Sequence, residues 1–306
     1  MGRYVLKRLA QGLVVVFLVV VIVFLATRTI GDPVDFLLPT EATQEQRDAL
    51  THQFGYDRPL PVQFIAYLND IVHFDFGDSL QQRRPTAEII RETLPATLYL
   101  VAVAMILAVF ISVPLGVLAS LRPRSKLDRF TVTSSLLGLS IPQFWLGILF
   151  ILVFAVQLQW LPSANAGGID HLILPALTLA LPTAGRLTMM VRSSMIDELN
   201  RQYVKTAKAK GLPGFSVVGS HALSNAAIPL ITLVGWELIR ALAGYTIVVE
   251  RVFEWPGLGK AAFSAIQNRD VPVLQTVVLV VAVMVVLVNI AIDLLYRFAD
   301  PRIKVA

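Results

Sequence analysis

The chain has no cysteine and only four histidines, scattered at His52, His73, His171 and His221. That excludes a disulfide framework, a thiolate metal site and a cysteine nucleophile, and the histidines show no metal-ligand spacing. Charge is scarce too, at 15% of the 306 residues. No Gly-x-x-x-x-Gly-Lys-Ser/Thr occurs, and the nearest run, Gly214–Ser220, lacks the lysine that reaches phosphates. His-Glu-x-x-His and Gly-x-Ser-x-Gly are missing as well. An ATPase, metalloprotease or serine-hydrolase site therefore has no support, and no catalytic residue, metal or cofactor is expected on this chain.

What the chain does have is apolar surface. It is 56% hydrophobic, with a mean hydropathy of +0.68, beyond what a soluble domain of ordinary composition shows. A bilayer is the natural solvent. The formal net charge of +5 then reads as lysine and arginine held on the cytoplasmic side of a membrane, not as a nucleic-acid surface.

Six apolar stretches are long enough to cross. The first, Leu9–Ala26, approaches the roughly 17 to 25 residues a spanning helix needs, and Thr27-Arg28-Thr29 is a poor signal-peptide cleavage site, so it is read as retained. The others are Leu94–Ala119, Thr131–Val156 with Ile141-Pro142 in its middle, Leu172–Met190 interrupted by Pro175 and Pro182, Ala226–Val249, and Pro272–Leu295. Prolines inside spans argue for helices buried in a bundle, where neighbours satisfy the freed carbonyls. The division expected is a first transmembrane helix at 1–29, a polar insertion at 30–93, and a five-helix core at 94–306 that contains a polar loop at 201–225. In the insertion, Thr43 is placed to cap a helix and Pro61–Phe74 carries Val62, Ile65, Leu68 and Val72 at helical spacing.

Basic residues fix the orientation. Arg3, Lys7 and Arg8, then Arg122, Arg124, Lys126 and Arg129, then Arg201, Lys205, Lys208 and Lys210, then Arg302 and Lys304 fall on one side. The two short loops of the other side hold only Arg251, Lys260 and Arg269, which puts both termini in the cytosol and the insertion outside.

The chain is organised around Gln202–Pro229, a lysine-bearing segment between two apolar ones. It carries Ala207 and Ala209, then Gly211, then Leu212, Phe215 and Val218 at the spacing of one helical face. Gly211 permits a sharp turn between two stiff pieces. In its Ala207, Gly211 and Leu223 the segment resembles the cytoplasmic signature of permease subunits of ATP-driven, binding-protein-dependent importers, the ABC-type importers. Lys205, His221 and Ser224 replace Glu, Ile and Pro of the general pattern, as in the oligopeptide, dipeptide and nickel branch, and Pro213-Gly214 stands where that branch has a Ser-Glu cap. Phrases similar to that branch recur in Gly31-Asp32-Pro33-Val34, Phe54–Leu60, Asp75–Ser79, Leu94–Leu98, Ile141–Gly147, Leu174–Leu179, Val248–Gly259 and Asp300-Pro301-Arg302, almost the whole chain.

The resemblance implies an all-α integral membrane protein of the inner membrane of a bacterium, with the type I importer permease fold. It implies a chain forming half of a pathway for short peptides, with Ala207, Gly211, Leu212, Phe215 and Val218 docking on an ATPase. The implied partners are a second permease of similar build, two ATPase subunits or domains that bind ATP and Mg, an extracytoplasmic binding protein and the lipid bilayer, with no nucleic acid. Import of nickel complexes, glutathione or another small solute stays open beside peptides. So do a solvated surface and a binding-protein docking lip as readings of the acids in the insertion.

Polar residues inside spans are costly and by default face a bundle interior or water. Glu237 and Arg240, three apart in the fifth span, are expected to pair and to line the pathway or the partner interface; Asp293 is expected to pair with Arg297, and Arg186 and Arg192 to snorkel to the inner headgroups. An intramembrane enzyme using Asp293 or Glu237, and a passive channel, are the rival classes. Against the first, the spans lack paired acids.

Overall fold

The computed structural model describes residues 2–29, 43–53 and 57–299. The phrases Gly31–Val34 and Asp300–Arg302, residues Phe54–Tyr56, and the side chains of Arg3 and Arg297 lie outside the described residues. The described chain is helical: α1 (Gly2–Thr29), α2 (Gln44–Gln53), α3 (Leu60–Val72), α4 (Thr86–Leu121), α5 (Lys126–Ser140), α6 (Gln143–Phe150, continued by a wide turn to Gln157), α7 (Ile169–Leu199), α8 (Gln202–Ala209), α9 (Gly214–Val252), α10 (Leu258–Gln267) and α11 (Val271–Ala299). Five of these are long and apolar enough to cross a membrane, and the pair α5 and α6 makes a sixth span if counted as one.

That pair turns through 101°. A break at Ile141-Pro142 is legible in the sequence, but the angle is larger than a kinked span implies. Ile141 is extended (φ −82°, ψ 122°), as the residue before a proline prefers, and α6 restarts with Pro142 as its cap. By contrast α7, expected to be interrupted, runs unbroken through Pro175 and Pro182. Pro182 removes the N–H that would have bonded to the Thr178 carbonyl, and the Gln143 side chain of α6 donates to that oxygen at 3.5 Å.

Two compact units make up the chain, Met1–Ala96 with Pro256–Val286, and Thr97–Trp255 with Leu287–Ala306. In the first, Phe64 of α3 packs edge-on against Phe17 and Phe24 of α1, and Tyr67 stacks on Phe24. Ile89 and Ile90 at the start of α4 form an apolar cluster with Leu258 and Ala262 of α10 and Val273 and Val277 of α11. Buried Asp270 accepts hydrogen bonds from the Ser79 hydroxyl and the Leu80 and Gln81 backbone N–H groups, tying the Asp78–Arg84 turn to the start of α11. Thr43 caps α2 reciprocally with Gln46.

In the second unit α7 is the most buried span. Its neighbours approach closely at small residues, as helices in lipid do. A Cβ on Gly116 of α4 would lie 2.7 Å from the Val191 Cβ and 2.9 Å from the Thr188 carbonyl oxygen, neither of which can swing aside. Gly116→Ala is therefore expected to destabilise by about 1–3 kcal/mol through overpacking, read as a lowered melting temperature of the purified protein in detergent. At Gly235 of α9 the obstacle is the end of the Ile292 side chain, so Gly235→Ala should cost less.

Candidate functional site

The α7–α8–α9 segment forms a tight elbow. Arg201 is extended and starts α8, whose Val204 and Ala207 turn inward while Lys205, Lys208 and Lys210 stay exposed. The helix closes with the Leu212 N–H bonded to the Ala207 carbonyl at 3.2 Å and the Gly211 N–H to the Lys208 carbonyl at 3.0 Å. This double closure needs a left-handed residue, and Gly211 supplies it at φ +77°. Pro213 then caps α9 in extended conformation.

Beneath the turn, Val217 of α9 is buried against Val204 and Ala207. Val218 and Leu223 pack on a second apolar group made of Val191, Met195, Ala222 and Ala226. A polar clamp holds the other edge: the Tyr203 hydroxyl donates to the Glu198 carboxylate at 2.6 Å, and Asn225 donates to the Tyr203 oxygen at 3.0 Å and the His221 carbonyl at 2.8 Å. Partial burial, and then that bond to Glu198, push the Tyr203 phenol above its usual pKa. His221 bonds through Nδ1 to the Ser216 carbonyl at 3.1 Å, a local cap. Phe215, in the first turn of α9, is 82% exposed.

Leu212, Phe215 and Val218 thus do not share one helical face. Leu212 precedes α9, held in the Gly211–Pro213 turn, and Val218 faces inward. Phe215 is the aromatic the elbow presents, and Val217, which spacing alone did not single out, is its buried anchor.

Farther along α9, Glu237 is 0% exposed and Arg186 of α7 grips it with two hydrogen bonds, Nε to Oε1 and Nη2 to Oε2, both 2.7 Å. Thr183 donates to Oε2 at 3.4 Å, and Arg240 approaches Oε1 at 3.3 Å with its side chain 50% exposed. Arg186 also lies 5.9 Å from the centre of the Tyr245 ring. Nearly two helical turns farther toward the end of α7, Arg192 holds Asp128 of α5 through two hydrogen bonds, of which Nη2–Oδ2 is 2.8 Å, and Asp128 also accepts the Arg124 N–H at 2.7 Å. The expected Glu237–Arg240 pair forms, but its main cation is Arg186. Neither Arg186 nor Arg192 snorkels, because each has a buried carboxylate from a neighbouring helix. Asp293 lines a cleft of about 160 Å³ with Thr232, Trp236 and Asn289, and Arg297, its expected partner, has its side chain outside the described residues. Among the described residues no group of three or more His, Cys, Asp or Glu side chains is placed to hold a metal ion.

Against known proteins, residues 112–305 match the family described as binding-protein-dependent transport system inner membrane component, and residues 1–101 match its N-terminal companion. The oligopeptide transport system permease protein AppB of Bacillus subtilis is 37% identical over 99% of this chain and 100% of its own length. The glutathione transport system permease protein GsiC of Escherichia coli K12 is 38% identical over 99% of each. Among solved structures, the inward-facing MetNI methionine ABC transporter superposes with a TM-score of 0.61 at 21% identity, covering 70% of this chain and 97% of that one. At that identity the likeness speaks to the fold.

Proposed function

The chain belongs to the binding-protein-dependent transport system inner membrane components, and from that premise we propose that it imports short peptides as one half of an ATP-driven translocation pathway. It is a multi-pass inner-membrane protein, a transporter component whose family works with an ATPase and an external binding protein. The finer assembly is our reading: a second permease of similar build beside it, and two ATPase subunits that bind ATP and Mg. Both termini and the Gln202–Leu223 elbow face the cytosol in this reading, and the insertion between α1 and α4 faces outward toward the binding protein.

One observation carries the coupling role. The elbow is stiff, closed at Gly211 and packed beneath by Ala207 and Val217, yet it presents Phe215 to solvent. An exposed aromatic on a rigid element is what a protein cleft can grip. Val218, turned toward α7, and Leu212, fixed in the turn, would pass a displacement of the ATPase into the spans. ATP-driven closure would thereby shift the population between inward- and outward-facing states.

Peptide cargo is supported by the oligopeptide permease among the relatives, and the glutathione permease makes glutathione the second cargo to try. The test is reconstitution of the chain with its gene neighbours in nanodiscs. ATPase activity should rise when binding protein loaded with peptide is added. A chain that purifies without an ATPase partner, or a complex that ignores loaded binding protein, would overturn the proposal.

A further inference from the structure

Arg186, Glu237 and Arg240 bring two positive charges to one negative, leaving the cluster with a surplus of one. Both Glu237 oxygens are taken by Arg186, so Arg240 is left with a single longer contact of 3.3 Å. Its guanidinium has five N–H donors, and half of its side chain is exposed. Arg240 sits roughly 18 Å along α9 from the Val252 end at about 1.5 Å per residue, within the apolar stretch. A cation at that depth does not face lipid chains; it faces water, cargo or another protein.

The backbone next to it is also unusual. Directly after Arg240, α9 widens into the π-helical turn Ala241–Tyr245, a geometry frequent at functional sites in helices, and Tyr245 there meets Arg186. The result is a preorganised guanidinium: Glu237 holds it by one edge, and its remaining donors form a fork that matches the two oxygens of a carboxylate.

Resting on the peptide-import reading, we propose that Arg240 is a cargo contact that receives a carboxylate of the translocating solute, for a peptide its C-terminal group. Glu237 and Arg186 position it. Glu237 also limits the grip by partly neutralising the site, as passage requires a cargo that can leave.

The test uses the full complex in proteoliposomes, with binding protein saturated either with a peptide or with the same peptide as its C-terminal amide. The readout is the ratio of acid to amide imported, which a merely structural role would not move. Wild type should favour the acid about ten- to hundredfold, the scale of one charge-assisted hydrogen-bonded pair. Arg240→Gln should bring the ratio to near one, and Arg240→Lys, which keeps the charge and loses the fork, should fall between. Equal import of acid and amide by wild type overturns the assignment without any variant. So does an Arg240→Gln complex that keeps the wild-type ratio, or one that sheds its partner permease on purification, since Arg240 would then be an interface ion pair. A wild-type complex that imports neither peptide overturns the functional reading itself, and the cargo contact with it.

Discussion

Glu237→Ala is expected to give a protein that is poorly recovered from the membrane and melts roughly 10 °C below wild type. The carboxylate is 0% exposed and carries the doubly hydrogen-bonded Arg186, whose side chain is 24% exposed. Removing one partner of a buried pair typically costs about 3–5 kcal/mol, because the other charge stays buried without a counter-charge. Folded proteins have only about 5–15 kcal/mol in hand, and each kcal/mol moves the melting point of a chain of this size by about 2–4 °C. Arg240 adds little to that figure, since at 50% exposure solvent screens it. The double change Glu237→Leu with Arg186→Met should recover much of the loss by replacing the pair with apolar volume. Thermal unfolding in detergent checks both, and a single variant that melts with wild type would mean that the pair contributes nothing to the fold.

The same pair marks the limit of what the sequence carried. Spans are legible because an apolar run of sufficient length has one outcome in a bilayer: five of the six runs lie in single helices, and Thr131–Val156 lies in the pair bent at Ile141-Pro142. Partner choice between helices is another matter: Glu237 and Arg186 lie 51 residues apart, Asp128 and Arg192 64 apart, and no local period connects them. A signal was present, since Arg186 and Glu237 each stand in an apolar stretch where lipid exposure would be costly. A spacing of three residues on one helical face favoured the Glu237–Arg240 reading instead, and that contact is the longer one. At the elbow, helical spacing grouped Leu212 with Phe215, whereas Gly211 at φ +77° and the extended Pro213 keep Leu212 out of α9. Val204 and Ala207 of α8 are covered by Val217, which no local spacing links to them across the Gly211 turn.

Separating stability from coupling at that elbow gives the largest functional effect we expect. Phe215→Ala should leave unfolding within about 0.5 kcal/mol of wild type, because the ring is 82% exposed and supports no core. Yet if the ring is the anchor in an ATPase cleft, its truncation removes an interface residue of the kind that costs about 2 kcal/mol or more, or roughly 30-fold in productive engagement. Transport and the stimulation of ATPase activity by loaded binding protein should fall together by that factor. Val217→Ala is the contrasting change, since Val217 is buried against Val204 and Ala207, and should lower the melting temperature as well as transport. Gly211→Val falls between: no atom lies within 4 Å of the added Cβ, but a β-branched residue at φ +77° strains the closure by about 1–2 kcal/mol and loosens the end of α8. The order of effects on transport relative to effects on melting is the diagnostic. Phe215 should have the highest ratio, because it is the one of the three whose side chain is exposed and supports neither the core nor the helix closure, and a Phe215→Ala complex that pumps at the wild-type rate would remove the elbow from the coupling path.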